Sequence, residues 1–348
     1  MSNKKTTHTR VVRRKKKKLR KRAIFIFIPV LMAFLGVISY ATYLYIKADS
    51  VMSDSYVDDG REKSELRETA VDPTEDNVSV LIMGVDASDI RNNAESSRTD
   101  TLMVATLNKE DKSVKLVSIP RDSLVYIPEV GYETKINHAH AYGGKDATIE
   151  TVENLLDIPI DYYVKVNFEA FIDVVDAVDG ITVDVPYELY EQNSKDQARA
   201  IHLLPGEQEL DGEEALALAR TRKLDNDILR GKRQQEIIKS IVDKSISVNS
   251  ILKYDDILEA VGSNMTTNMT FSEMKSFITY GTKGSLDFEM FTLEGEDYQP
   301  TGTYYWLLDE IALSETKQAL QNHLDISSST LTNGTNQTKT TSGEQNPY

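Results

Sequence analysis

Apolar positions follow three regimes along the chain. Over residues 23–46 they form the run AIFIFIPVLMAFLGVISYATYLYI, which holds no charged residue and is long enough to cross a bilayer as one helix. Over 47–77 the pattern collapses into KADSVMSDSYVDDGREKSELRETAVDPTEDN, polar, acidic and weakly periodic, which predicts an extracellular linker. From Val78 onward, apolar runs return at the lengths of strands and helices. VSVLIMG (78–84) predicts a strand covered on both faces. TLMVATLN (101–108) and VKLVSIP (114–120), flanking the polar NKEDKS, predict a hairpin. A helix is expected over 145–156, a strand at YYVKVNF (162–168), a short helix in FEAFIDVVDAVDG stopped by Gly180, and then the strand ITVDVP. GEQELDG (206–212) reads as a turn, and further helices are expected over 213–220, 233–246, 251–261, 271–280 and 306–324. Strands interspersed with helices indicate the α/β class, as a single α-β-α layered domain over 78–325 with a mixed central sheet. The tail 326–348 lacks the apolar residues needed to pack and is expected to be disordered.

Charge sharpens the division. Twelve of the 40 Lys and Arg lie in the first 22 residues, where there is no acid, and all 55 acids come after the apolar run. Basic residues concentrate on the cytoplasmic side of a span, and Tyr40, Tyr43 and Tyr45 suit the opposite interface. The expected topology is a single-pass cell-membrane protein: a basic cytoplasmic tail (1–22), a transmembrane helix (23–46) and an extracellular domain. A cleaved signal peptide would have a shorter apolar region ending in a small-x-small site, which this segment lacks. Nucleic acid is not an expected partner, because the outer part is strongly acidic. The absence of cysteine excludes disulfides, thiolate metal sites and a cysteine nucleophile.

Candidate chemistry gathers where regular elements end. Asp86, closing MGVD, and Asp100, closing SRTD, would emerge at one edge of the sheet if their strands are neighbours. Two carboxylates suit magnesium, which completes its octahedron with waters and phosphates; a strand end and a turn cap explain the same residues without a metal. Arg121 in SIPRD is the first charged side chain beyond an apolar strand and can grip a phosphate bidentately. In ALALARTRKLDNDILRGKRQQEII (215–238), helical spacing puts Arg230 and Gln234 on the inward stripe of Ile237, Ile238 and Ile241. Arg230, Lys232 and Arg233 crowd a predicted helix start, where the macrodipole disfavours cations, and an anionic ligand would resolve the conflict. Asp227 could cap that helix or hold Arg230, the pair then being a simple surface ion bridge. Lys135 adds charge nearby. His138 and His140 have strand-like metal spacing but no third ligand, and carry no assigned role. There is no serine elbow and no HExxH helix.

LIMGVD, SRTDTLMVATLN, VKLVSIPRDSLVYIP, KINHAHAYGG, LPGEQELDGEEALALARTR and LRGKRQQEII, in this order, resemble the LytR-CpsA-Psr family of cell-wall glycopolymer ligases, most strongly over 78–245. The resemblance implies an α-β-α fold with an apolar pocket for a polyprenyl chain and an arginine-lined mouth for its pyrophosphate. It implies that Asp86 and Asp100 bind magnesium, or manganese in its place. It also implies that Arg98, Arg121, Arg220, Arg222 and Arg230 grip the pyrophosphate, supported by Gln234, Asp227 and Lys135, with Arg121, Asp86 and Arg230 as catalytic residues. The implied partners are a polyprenyl pyrophosphate-linked glycopolymer, peptidoglycan and the membrane of a Gram-positive cell. The implied reaction moves the polymer onto a peptidoglycan sugar hydroxyl through a phosphodiester. KLDNDIL is shorter and less glycine-rich than the family's usual stretch. The alternatives are a pyrophosphatase acting on the same lipid and a membrane-bound regulator of envelope genes, whose DNA-binding part would have to fit in about 22 cytoplasmic residues.

Overall fold

A computed structural model describes residues 55–58, 60–85, 98–222, 226–245, 265–281 and 286–326, together with single positions between 39 and 50. The chain divides into the units Met1–Ser50 and Val51–Tyr348. The apolar run 23–46, Asp86, the expected helix 251–261 and the tail after Ile326 fall wholly or almost wholly outside the described residues. No helix among the described residues is long and apolar enough to cross a membrane.

The centre is a six-stranded sheet in which β1 (Val78–Gly84) lies between β2 (Thr101–Asn108) and β6 (Tyr162–Val166), antiparallel to the first and parallel to the second. β3 (Ser113–Ser118) continues the β2 hairpin and pairs in parallel with the edge strand β12 (Asp287–Thr292). The other edge is β11 (Met265–Thr267), antiparallel to β6. The sheet is therefore mixed, as expected. Alternation along β1 explains its covering: Leu81 and Met83 point into one core, Val78 and Val80 into another.

Over the first face lie α1 (His138–Leu156) and α6 (Glu310–His323), packing Ile149, Val152, Leu156 and Leu320 on the sheet. α1 begins seven residues earlier than expected and kinks at Gly143 and Gly144; a Cβ at Gly143 would sit 2.8 Å from that of Ala147, and Gly144 has φ +61°. Over the opposite face lie α4 (Asp227–Ser245), through Ile238, and α5 (Phe271–Gly281), through Met274 and Phe277. A smaller core joins α2 (Phe168–Ala177) and α3 (Gly212–Arg220) to two ribbons, β7 (Ile181–Val185) with β10 (Gly206–Leu210) and β8 (Leu189–Glu191) with β9 (Ile201–Leu203). Asn167 caps α2 by accepting from the Ala170 N–H at 2.8 Å, and Asp211 with Glu214 forms a capping box on α3.

Three expectations change. GEQELDG is strand β10 running into the α3 cap, because β7 supplies its ladder partner. Trp306 to Leu308 belongs not to a helix but to β14 (Tyr305–Leu308), paired with β13 (Gly295–Tyr298); Asp309 then caps α6 through the Ala312 N–H at 2.8 Å. Short apolar runs do not distinguish strand from helix until a partner strand is known. The residues expected as linker are seated on the domain from Tyr56, which bridges to Thr267. Arg67 forks onto the Asp161 carboxylate at 2.9 and 2.7 Å, and Arg61 reaches Glu153 at 2.6 Å.

Candidate active site

An apolar cavity of about 330 Å³ opens between the ends of β1, β2 and β6 and the helices α2, α3 and α4. Ile82, Val166, Phe171, Leu216, Ile238 and Ile241 line it, and Asp100, Arg220, Arg222, Arg230 and Gln234 also contribute to its wall. The helical stripe inferred from sequence is present: Arg230, Gln234, Ile237, Ile238 and Ile241 all face this cavity. Gln234 is tied back to α3, donating from Nε2 to the Ala219 carbonyl at 3.1 Å. Arg220 ends α3 with its guanidinium 4.8 Å from the Phe168 ring centroid.

Residues distant in sequence meet at the polar part of this wall. Arg121 donates from Nη1 to Asp100 Oδ1 at 2.7 Å, and Arg222 comes within 3.7 Å of the same oxygen. Arg230, 4% exposed, pairs with Asp227 at 3.1 Å and reaches the Asp100 carbonyl at 3.4 Å. Asp227 also approaches Arg121 Nε, at 3.7 Å. Burial pushes the Arg230 pKa down; Asp227 opposes the shift, while the Arg222 and Arg121 charges add to it. The Nε donors of both Arg121 and Arg230 are buried without a hydrogen-bond partner. A buried guanidinium donor left without a hydrogen bond costs about 1–3 kcal/mol, and the carboxylates nearest Arg121 Nε, those of Asp122 and Asp227, stop at 3.7 Å.

On α4 the structure selects one of the two readings of Asp227 and gives Arg233 a different part. The helix cap is Asn226, whose Oδ1 accepts from the Leu229 N–H at 3.0 Å, which leaves Asp227 to hold the arginines. Arg233, also buried, faces away from the anion cluster and donates to the carbonyls of Leu218 at 3.1 Å and Thr221 at 2.7 Å. It satisfies the carbonyl end of α3, so the crowding of cations at the start of α4 is partly structural.

Lys135, Arg98, Arg121 and Asp227 stand outside the cavity lining, the last two joined to it through Asp100 and Arg230. Lys135, on β5 (Tyr132–Lys135), binds Asp122 at 2.9 Å, and Asp122 lies 3.7 Å from Arg121 Nε, so Lys135 joins the cluster through a residue that was not singled out in the sequence although it follows Arg121 directly. Arg98 is exposed and lies toward His138, whose pKa burial lowers first and the Arg98 and Lys135 charges lower further. His138 pairs with Thr134 at 3.1 Å. No three His, Asp or Glu side chains form a metal-binding group among the described residues. Asp100 Oδ1 takes the contacts with Arg121 and Arg222, and the carboxylate side chain remains 47% exposed.

The LytR_cpsA_psr family model matches residues 41–322. The chain is 41% identical over 319 residues to the polyisoprenyl-teichoic acid–peptidoglycan teichoic acid transferase TagT of Bacillus subtilis (strain 168), covering 90% of this chain and 98% of that protein. Among solved structures, TagT bound to LIIa-WTA is similar with a TM-score of 0.67 at 40% identity, covering 77% of this chain and 98% of that one. The LytR-CPS2A-psr family protein YwtF (TagT) with bound octaprenyl pyrophosphate lipid gives 0.63 at 38% identity, covering 77% and 98%. A crystal structure of B. subtilis TagT gives 0.64 at 40% identity, covering 76% of this chain and 98% of that one.

Proposed function

The chain belongs to the LytR_cpsA_psr family, and from that premise we propose that it is a transferase moving a glycopolymer from a polyprenyl pyrophosphate carrier to a sugar hydroxyl of peptidoglycan. The observation that carries this is a cluster of guanidinium groups beside an apolar cavity, in which Arg230 Nε is buried with no hydrogen-bond partner and Arg121 Nε has carboxylates no nearer than 3.7 Å. A polyprenyl pyrophosphate has the matching halves: a hydrocarbon chain for Phe171, Leu216 and Ile241, and phosphate oxygens for Arg220, Arg222 and Arg230 of the lining and for Arg121, which is joined to it through Asp100.

In the proposed reaction the acceptor hydroxyl attacks the phosphorus nearest the polymer. The bond from that phosphorus to the bridging oxygen breaks, lipid phosphate departs, and the hydroxyl proton is released as the phosphodiester forms. The arginines neutralise the charge growing on the phosphoryl and leaving oxygens and align the two in line. Asp227 and Gln234 act by positioning: Asp227 holds Arg230 and approaches Arg121, and Gln234 is fixed to α3. Arg98 and Lys135 supply positive potential at the approach. Magnesium, or manganese, would be held by Asp86 and Asp100 and would add charge neutralisation at the phosphates. The run 23–46 would anchor the protein as a single span, with its basic tail in the cytoplasm and the domain outside.

The test is transfer from a polyprenyl pyrophosphate-linked polymer to peptidoglycan by Arg121→Ala and Arg230→Ala proteins of native fold, scoring wall-linked against free polymer. Both variants are expected to lose transfer. Full activity in both would overturn the assignment, and release of free polymer by the parent would point to a pyrophosphatase. Chelation followed by magnesium restoration checks the metal: activity indifferent to both would remove the cation from the proposal.

A further inference from the structure

A second concavity, of about 860 Å³, runs along the face of α4 opposite the apolar cavity. At 100° per residue, Ile228, Lys232, Gln235 and Glu236 point away from the Arg230 stripe, and these four line the groove. Its other wall comes from the end of β12, the β13–β14 ribbon and α6, including Glu294, Trp306 and Glu315. The groove meets the arginine cluster at one end. Ile228 follows Asp227, the Trp306 N–H donates to the Asp122 carbonyl at 2.9 Å, and Trp306 bridges to Ser123.

The chemistry of this groove differs from that of the cavity. Three carboxylates, Glu236, Glu294 and Glu315, face one lysine, Lys232, and no arginine lines it. A polymer rich in phosphate is repelled there, whereas carboxylates accept readily from sugar hydroxyls. The half-buried indole of Trp306 is steadied by its own N–H bond to the Leu293 carbonyl at 3.2 Å and offers a flat apolar surface to a pyranose ring. Gln235 supplies an independent indication of a ligand. It is 1% exposed, and its Nε2 donates to the Leu116 and Phe291 carbonyls, each at 2.7 Å. That fixes the amide so that Oε1 remains a buried acceptor with no partner, and Thr292 Oγ1 nearby in the lining is unpartnered as well. An acetamido N–H or a sugar hydroxyl would satisfy both atoms.

We infer that this groove binds the acceptor: a glycan strand of uncharged N-acetylhexosamines, entering along Trp306 and delivering its hydroxyl to the arginine cluster from the side opposite the lipid cavity. This rests on the transfer reaction proposed above. Trp306 is the sole tryptophan of the chain, so its emission reports on the groove alone. The full chain in detergent is titrated with a β-1,4-linked N-acetylglucosamine tetrasaccharide and, separately, with a glycerol phosphate oligomer. The tetrasaccharide is expected to change the emission saturably, with no response to the anionic oligomer. Ala319→Tyr, which fills the groove from α6, and Glu315→Lys, on the same wall, are each expected to raise the acceptor KM about tenfold or more, equivalent to about 1.4 kcal/mol, with kcat, donor affinity and thermal unfolding unchanged.

Silent emission, a response to the anionic oligomer in place of the tetrasaccharide, or an unchanged acceptor KM in whichever variant folds would overturn the inference. A parent protein that shows the emission change but transfers nothing would instead remove the proposed reaction and leave a glycan-binding groove.

Discussion

Replacing Arg230 with Met separates a stabilising ion pair from a binding group, because the two roles predict opposite effects on the ligand-free protein. The side chain is 4% exposed, its Nε has no partner, and burial lowers its pKa. Removing one partner of a buried pair usually costs about 3–5 kcal/mol because the other charge is stranded. Here Asp227 is not stranded: its side chain is 23% exposed and Arg121 lies 3.7 Å away. Removing the unpartnered donor recovers about 1–3 kcal/mol, which offsets the lost pair. Ligand-free stability is therefore expected to stay level or rise by about 1 kcal/mol, equivalent to about 2–4 °C in Tm for a domain of this size. Donor binding should move the other way. Two charge-assisted hydrogen bonds at about 1.5–3 kcal/mol each amount to a loss of about 100-fold or more in kcat/KM. Thermal unfolding with and without a polyprenyl pyrophosphate, together with transfer kinetics, gives both readouts. A Tm lowered by the full cost of a broken buried pair, with transfer intact, would refute the reasoning and make Arg230 a structural residue.

His323 should make the fold acid-sensitive. Its ring nitrogens lie 2.8 Å from the Thr106 and Ser113 hydroxyls, and burial, followed by the Lys115 charge, pushes its pKa down to about 4 against the opposing charges of Asp111, Glu289 and Asp325. Below its unfolded pKa of about 6.5 the unfolded chain takes up a proton that the folded one refuses, so up to about 3 kcal/mol is lost as pH falls from about 6.5 to about 4. Urea midpoints across that window should flatten in His323→Gln; an unchanged slope would count against it. Arg67→Ala should cost about 3–5 kcal/mol, because the Asp161 side chain, 2% exposed, loses its forked partner; chemical denaturation measures this, and a cost below about 1 kcal/mol would mean that the segment before β1 adds little. Gly212→Ala places a Cβ 2.5 Å from the Ile172 carbonyl oxygen, for which about 1–3 kcal/mol of overpacking is expected. Because α3 carries Arg220, donor affinity should fall with stability, and wild-type affinity in the folded variant would show that α3 adjusts without moving its end.

What the sequence determined by itself is what local pattern encodes. VSVLIMG was legible because a short, nearly continuous apolar run marks a strand covered on both faces, and the β2–β3 hairpin because two such runs flank a polar turn. The Arg230, Gln234 and Ile237 stripe was legible because a helix repeats every 3.6 residues. The arginines also stood out as cations placed where an isolated helix start would not tolerate them. Partner-dependent features were not legible. Residues 305–308 form a strand because β13 lies beside them, and residues 206–210 because β7 does. Arg233 and Arg230, three residues apart on one helix, serve different ends because one meets the carbonyls of α3 and the other the cavity. The meeting of Asp100, Arg121, Asp227 and Arg230, and the division of α4 into a cavity-facing and a groove-facing side, were decided by the tertiary structure. The sheet edge and the α3–α4 packing bring together residues up to 130 positions apart, and nothing in local periodicity records which distant residue will supply a buried charge with its partner.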